Sequence, residues 1–188
     1  MTTATDARQG TTTWTIDAAH SAAGFSAKHM MITTVRGRIA DVRGAIALHE
    51  ADPSRSSVEV ELAAASIDTR SDQRDAHLRS ADFLDVERFP AIAFRSRRVE
   101  GATLREGERF RVVGDLTIRD VTREVALDVT YEGRGRDPWG GERVSFSAET
   151  TIDRRDFGLT WNAALETGGV LVSNDIRIQI EAQAVRAD

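Results

Sequence analysis

The chain contains no cysteine. That absence removes disulfides, thiol nucleophiles and thiolate metal sites together, and it suits a reducing compartment. Basic charge is also short: 25 Lys and Arg against 30 Asp and Glu leave a formal net charge of -5. A nucleic acid needs a basic footprint for its phosphates, so the balance argues against nucleic acid and offers no pull toward an anionic membrane. No apolar run approaches a transmembrane segment in length. The opening "MTTATDARQGTTTW" has neither an apolar h-region nor a cleavage-site pattern, so a cytoplasmic location is expected. Residues 1–12 read as a flexible polar leader, and 13–188 as a single domain.

What the chain does have is period two. Val58, Val60 and Leu62 alternate with Ser57, Glu59 and Glu61. The same alternation runs through Phe110, Val112, Gly114, Leu116 and Ile118, through Val125, Leu127, Val129 and Tyr131, through Val144, Phe146, Ala148 and Ile152, and through Ile176, Ile178 and Ile180. Each such run predicts a strand with one dry face and one wet face, the antiparallel habit. With "AIAFRSR", "HSAAGFSAKHM", "VRGRIADVRGAIAL" and "TTWTID" the count reaches eight or nine strands, separated by turns such as "EADPS", "EGAT" and "GRGRDPWGG". Many half-wet strands require either two stacked sheets or a closed barrel, and long strands favour the barrel. Small residues on the dry faces, namely Ala23, Ala27, Gly114 and Ala148, would leave room for a cavity, with close packing or a bulge as the alternative.

One segment, "DTRSDQRDAHLRS", reads as a short helix lying across the surface, with Thr69 and Asp72 at capping-box spacing. Phe83, Leu84 and Phe89 follow it as anchors.

Two of the four histidines fall in "IDAAHSAAGFSAKHMMI". His20 and His29 are an odd number of residues apart, so a regular strand points them to opposite faces. His49, placed in a turn, and His77, placed on the helix, do not supply the short spacing of a zinc site, so no metal is expected. His29 shares the dry face of Phe25 and Ala27; it is either satisfied by backbone or water, or contacts a ligand headgroup. His20 reads as a corner residue paired with Asp17 or backbone. There is no serine-nucleophile elbow, no zinc-protease helix and no phosphate-cradling loop. Asp153, Arg154, Arg155 and Asp156 read as a solvated cluster at a strand end, with guarding a cavity mouth as the lesser alternative. No catalytic residue and no cofactor is nominated.

The blocks "TWTIDAAHSAAGFSAKHMMITTVRGRI", "RDAHLRSADFLDVERFPAIAFRS", "VVGDLTIRDVTREVAL" and "RRDFGLTWNAALETGGVLVSNDIRIQIEAQA" together resemble the YceI-like family, collinearly over residues 13 to 185. The resemblance implies an all-β fold, a lipocalin-like antiparallel β-barrel of about eight strands with one short helix and an elongated apolar cavity. It also implies binding of a polyisoprenoid or other long-chain amphiphilic lipid, without catalysis; a homodimer is compatible with it. Many members are exported, whereas the opening residues here carry no signal peptide pattern. Where the family commonly has Gly, this chain has Asp120, which tolerates a turn with positive φ.

Under this reading the cavity is lined by Phe25, Ala27, His29, Val60, Leu62, Ile92, Phe94, Leu116, Ile118, Phe146 and Ile152. Each buried methylene yields about 0.8 kcal/mol, and association costs about 4–15 kcal/mol, so such walls select long chains. The expected function is storage or transport of a lipid such as an isoprenoid quinone. The competing readings are an enzyme acting on an amphiphile through His29 or an arginine at the mouth, and a packed β-domain that recognises a partner.

Overall fold

The computed structural model describes residues 10–187. Eleven strand segments occur among them: β1 Thr11–Ile16, β2 Ala22–His29, β3 Thr33–Ile39, β4 Val42–His49, β5 Ser57–Ala63, β6 Ile67–Asp68, β7 Ala91–Glu100, β8 Arg109–Ile118, β9 Val121–Arg136, β10 Glu142–Asp153 and β11 Asp175–Arg186. All pairings between them are antiparallel. The ring β1-β4-β5-β7-β8-β9-β10-β11 closes through the β1–β11 pairing, giving an eight-stranded barrel.

The three remaining segments are the other halves of bent strands. β1 and β2 are separated by a single 3-10 turn at Ala18–His20, and they pair with successive parts of β11: Trp14 to Ile16 opposite Ala184 to Arg186, then Ala22 to Ser26 opposite Arg177 to Glu181. β3 and β4 break at Ala40 and Asp41, and β5 and β6 at the 3-10 turn Ala64–Ser66. Counting each bent pair as one strand restores eight long strands, as the alternation predicts. Closure leaves the ring itself without a free edge, the usual template for aggregation, while the short β6 pairs only with β3.

The dry faces point inward. Val58, Val60, Leu62, Phe94, Val112, Leu116, Val129, Phe146 and Ile178 belong to one continuous apolar core. A second cluster plugs the end of the barrel where β1 begins and β11 finishes. There Trp14 has no exposed surface and packs with Ile16, Ile46, Leu48, Tyr131, Val144 and Ala184. The indole N–H of Trp14 donates to Thr12 Oγ1 at 2.8 Å, which satisfies its one polar atom. Burying such a side chain contributes roughly 1.5–3 kcal/mol.

The opposite end is covered by the helix α1, Asp72–Arg79, and by residues 159–174. α1 is too short to hold itself and is tied down by polar contacts. Arg79 donates to the carbonyls of Ala65 and Ile67, and Arg74 to Thr69 O and Oγ1. The expected Thr69–Asp72 capping box is absent: Ser71 is the N-cap without a side-chain bond, and Thr69 N and Oγ1 donate to Asp75 Oδ1 at 2.9 and 2.5 Å. Asp75 is buried, so the bond that orders the helix start is directed inward rather than capping at the surface. No described helix is long and apolar enough to cross a membrane.

Three further expectations change. The leader expected over residues 1–12 falls mostly outside the described residues, and Thr11 and Thr12 belong to β1, pairing with His49 and Leu48. His49 is the last residue of β4 rather than a turn residue; its Nδ1 accepts from Asp52 N at 3.0 Å. In the β8–β9 turn the residue with positive φ is Arg119, at 58°, so Asp120 is not the one under backbone strain. Arg119 is retained there by its contacts, with its guanidinium 5.6 Å from the Phe89 ring and Nη1 donating to Phe83 O.

Candidate functional site

Among the described residues, two chambers stand out within the barrel. The larger, about 740 Å³, lies under α1 and is walled by β2, β3 and the inward faces of β7, β8, β10 and β11. The smaller, about 180 Å³, lies toward the Trp14 end, and no charged side chain lines it. Leu116 and Ile178 belong to both walls, so the chambers adjoin along the barrel axis.

Local sequence explains why one end is open. On β2 the inward positions are Ala23, Phe25 and Ala27, two of them too small to reach the axis. Opposite Phe25 on β3 stands Gly37, where an added Cβ would lie 2.5 Å from Phe25 Cζ, so the ring fits against the wall only because that side chain is missing. Gly114, in contrast, does not open space. Phe94 Cζ and the backbone of Arg95 and Ser96 close over it, beside the register shift at Ser96/Arg98. At that position close packing at a bulge is what the glycine serves.

Ten of the eleven residues expected to line a cavity do so. Phe25, Ala27, His29, Ile92, Ile118 and Ile152 line the large chamber; Val60, Phe94 and Phe146 line the small one; Leu116 lines both. Leu62 is the correction. It faces inward but is buried in the packed core, paired across the sheet with Val42 and Ile92, and it lines neither chamber. Alternation gives the direction of a side chain, not how completely its neighbours fill the space around it.

His29 lies at the rim, bridged to Val172, with Met30 N donating to Leu171 O at 2.8 Å. His20 is instead exposed on the outside and its Nδ1 lies 2.8 Å from Asp17 Oδ2, the corner pairing the sequence suggests. Arg143 also bonds Asp17 through Nη1 at 2.6 Å, and its Nε bonds Asp137 at 2.9 Å. The Arg143 contact, followed by that of His20, holds the Asp17 carboxyl down to about 2. This network sits on the outer wall and has no connection to the chambers. Among the described residues no group of three or more His, Asp or Glu could hold a metal ion.

The sequence reading missed much of the polar rim. His77 lines the large chamber, with Nε2 2.8 Å from Asp82 Oδ2 and its ring edge-on to Trp161 and Phe83. Trp161, Leu171 and Val172 come from an irregular segment with no periodicity to read. Arg154 is the largest departure. Expected as part of a solvated cluster, it is 3% exposed and lines the large chamber. Its Nε donates to Ser173 O at 3.0 Å, and its Nη1 to Leu159 O and Trp161 O at 2.7 and 2.8 Å. Those three bonds fold residues 159–173 over the barrel end. Asp153, Arg155 and Asp156 do remain outside, and the Arg155 contact holds the Asp153 carboxyl down to about 2.

A family model described as the YceI-like domain matches residues 14–184. A UPF0312 protein of Serratia proteamaculans is 38% identical over 168 residues, covering 89% of this chain and 82% of that protein. The crystal structure of BcnA from Burkholderia cenocepacia superposes with a TM-score of 0.77 at 21% identity, covering 90% of this chain and 99% of that one. A domain from Saccharophagus degradans, described as polyisoprenoid binding, gives a TM-score of 0.70 at 14% identity over 93% of this chain and 98% of its own. At these two identities the likeness is one of fold.

Proposed function

This chain belongs to the YceI-like family, and on that premise we propose that its barrel sequesters a long-chain amphiphilic lipid of polyisoprenoid type, binding it without chemical change. The observation that carries the reading is the pair of adjoining chambers, about 740 and 180 Å³, the smaller one lined without any charged side chain. Such walls offer area rather than direction, so they reward chain length and discriminate weakly between similar tails. The polyisoprenoid-binding description of the Saccharophagus degradans domain, which shares this fold, supports the same class of ligand. At the mouth, His77 engages Asp82 and two aromatic rings, and among the described residues no hydrogen bond joins the imidazole of His77 or of His29 to a hydroxyl. That arrangement suits a rim that orients a headgroup better than one that activates a nucleophile.

Native mass spectrometry of the purified chain, followed by solvent extraction, tests this. The expected result is a non-covalent lipid adduct that is released chemically intact. A chain that carries no lipid and takes none up from mixed micelles, or one that returns an altered lipid, would overturn the reading.

A further inference from the structure

Large apolar side chains are seldom exposed among the described residues, and three that are stand in a row. Met30, Met31 and Ile32 form the loop between β2 and β3, with exposures of 40, 58 and 75%. A fourth, Trp139, stands alone in the β9–β10 turn at the Trp14 end. The loop adjoins the mouth of the large chamber. His29, the residue before it, lines that chamber, and Met30 N donates to the carbonyl of Leu171, which lines it too. The rise in exposure along the loop carries its tip away from the rim and into solvent.

The backbone gives these side chains no reason to be there. Met30 and Met31 hold positive φ, 51° and 61°, and Ile32 N closes the turn on His29 O at 3.1 Å. Two successive left-handed residues are the pattern that Asn-Gly serves at least cost, and a methionine is strained in it. Their exposure leaves them little core contact in exchange. Apolar side chains that neither ease their turn nor pack inside are explained by a contact from outside the chain.

The surrounding charge selects the surface that makes this contact. Residues 18–40 include Lys28, Arg36 and Arg38 and no Asp or Glu, in a chain whose acids outnumber its bases 30 to 25. Lys28 and Arg36 are exposed on the hairpin, and Arg70 and Arg74 are exposed just after β6, which pairs with β3. Among the described residues none of these four belongs to an ion pair. Glu166 and Asp72 are exposed acids on neighbouring elements, and the cations exceed them. A second copy of the chain seated on this loop would bring like charges together. An anionic bilayer instead attracts the cations and receives the apolar tip at its headgroup boundary.

We propose that the β2–β3 loop docks the barrel mouth onto an anionic lipid bilayer. Met31 and Ile32 enter the headgroup boundary, and Lys28 and Arg36 face the lipid phosphates. The rim at His29 is thereby brought against the surface, so a tail can pass between bilayer and chamber without crossing water. That passage rests on the sequestration reading; the docking itself concerns the outside of the barrel and does not.

Cosedimentation of the full chain with vesicles tests it, using phosphatidylcholine alone and an equimolar mixture of phosphatidylcholine and phosphatidylglycerol. The anionic vesicles should be bound about tenfold or more tighter than the neutral ones. Met30→Asn with Met31→Gly removes the apolar tip and relaxes the turn. Binding should then fall about tenfold or more while the melting temperature holds or rises, an outcome that a purely structural loop would not give. Lys28→Gln and Arg36→Gln should each weaken binding roughly fivefold. Trp139→Ser, at the opposite end, should leave it unchanged. Failure to bind anionic vesicles, equal binding to both compositions, or binding undisturbed by the Asn-Gly pair would overturn the proposal. So would a dimer in sedimentation velocity that the same pair dissociates, since the loop would then be covered by a second copy. Absence of lipid in native mass spectrometry would sink sequestration alone and leave the vesicle result to decide docking.

Discussion

The two ends of this barrel are built from the same alternating strands, and they are filled unequally, with about 740 Å³ of space under α1 against about 180 Å³ toward Trp14. At the β1 end a single Trp14, with no exposed surface, packs against Tyr131, Val144 and Ala184 and plugs the ring. At the α1 end the inward residues of β2 shrink to Ala23 and Ala27, and a short helix with an irregular segment covers a chamber instead of filling it. A few substitutions of volume, rather than a change of fold, separate a core from a cavity.

The largest effect is expected from removing the plug. Trp14→Ala should lower unfolding stability by about 3–5 kcal/mol in denaturant titration, whereas Phe25→Ala at the open end should cost clearly less, because its ring already borders empty space. Equal losses at both ends would break the comparison.

A second pair of variants sharpens it. Leu62 lies in the packed core and Ala27 on the open wall. Leu62→Trp should therefore overpack and cost about 1–3 kcal/mol. Ala27→Trp should cost little, below about 1 kcal/mol, while displacing bound lipid from the chamber. Melting curves together with lipid content by mass spectrometry separate the two outcomes.

Smaller still is the pH dependence of the outer wall. Asp17 titrates near 2 in the folded chain against an ordinary 3.8, because Arg143 and His20 bond its charged form. A lowered carboxyl pKa stabilises the fold above the unfolded value and loses that contribution as pH falls through the folded one. The stability advantage of the wild type over Arg143→Met at neutral pH should thus fade between about pH 4 and pH 2. Lipid occupancy at neutral pH should not differ between them, since the network lies away from both chambers. The smallest expected effect is none: chelator treatment should leave the melting temperature unchanged.

Direction was legible in the sequence and filling was not. Period two assigned Val60, Phe94, Leu116, Phe146 and Ile152 to the interior, whereas the strand parity of His20 and His29 did not apply, because His20 stands in the 3-10 turn Ala18–His20 outside β2. The same rule could not tell that Leu62 is packed while Val60 borders a void, because that depends on neighbours brought in by β7 and β4. Nor could it find Arg154 among the charges of "DRRD". Its burial follows from three carbonyls contributed by a segment without periodicity. The capping box failed for a related reason: Thr69 found a better acceptor in buried Asp75 than in Asp72.

The most direct test of the account is the dependence of affinity on chain length for prenyl or alkyl ligands with one fixed headgroup. If the tail lies in the two chambers, each added methylene should tighten binding by about 0.8 kcal/mol, roughly fourfold, until the space is full, and then affinity should level off. In Ala27→Trp the plateau should arrive at shorter chains. Affinity that is flat with chain length, or a plateau unmoved by that substitution, would contradict the claim that these chambers hold the lipid.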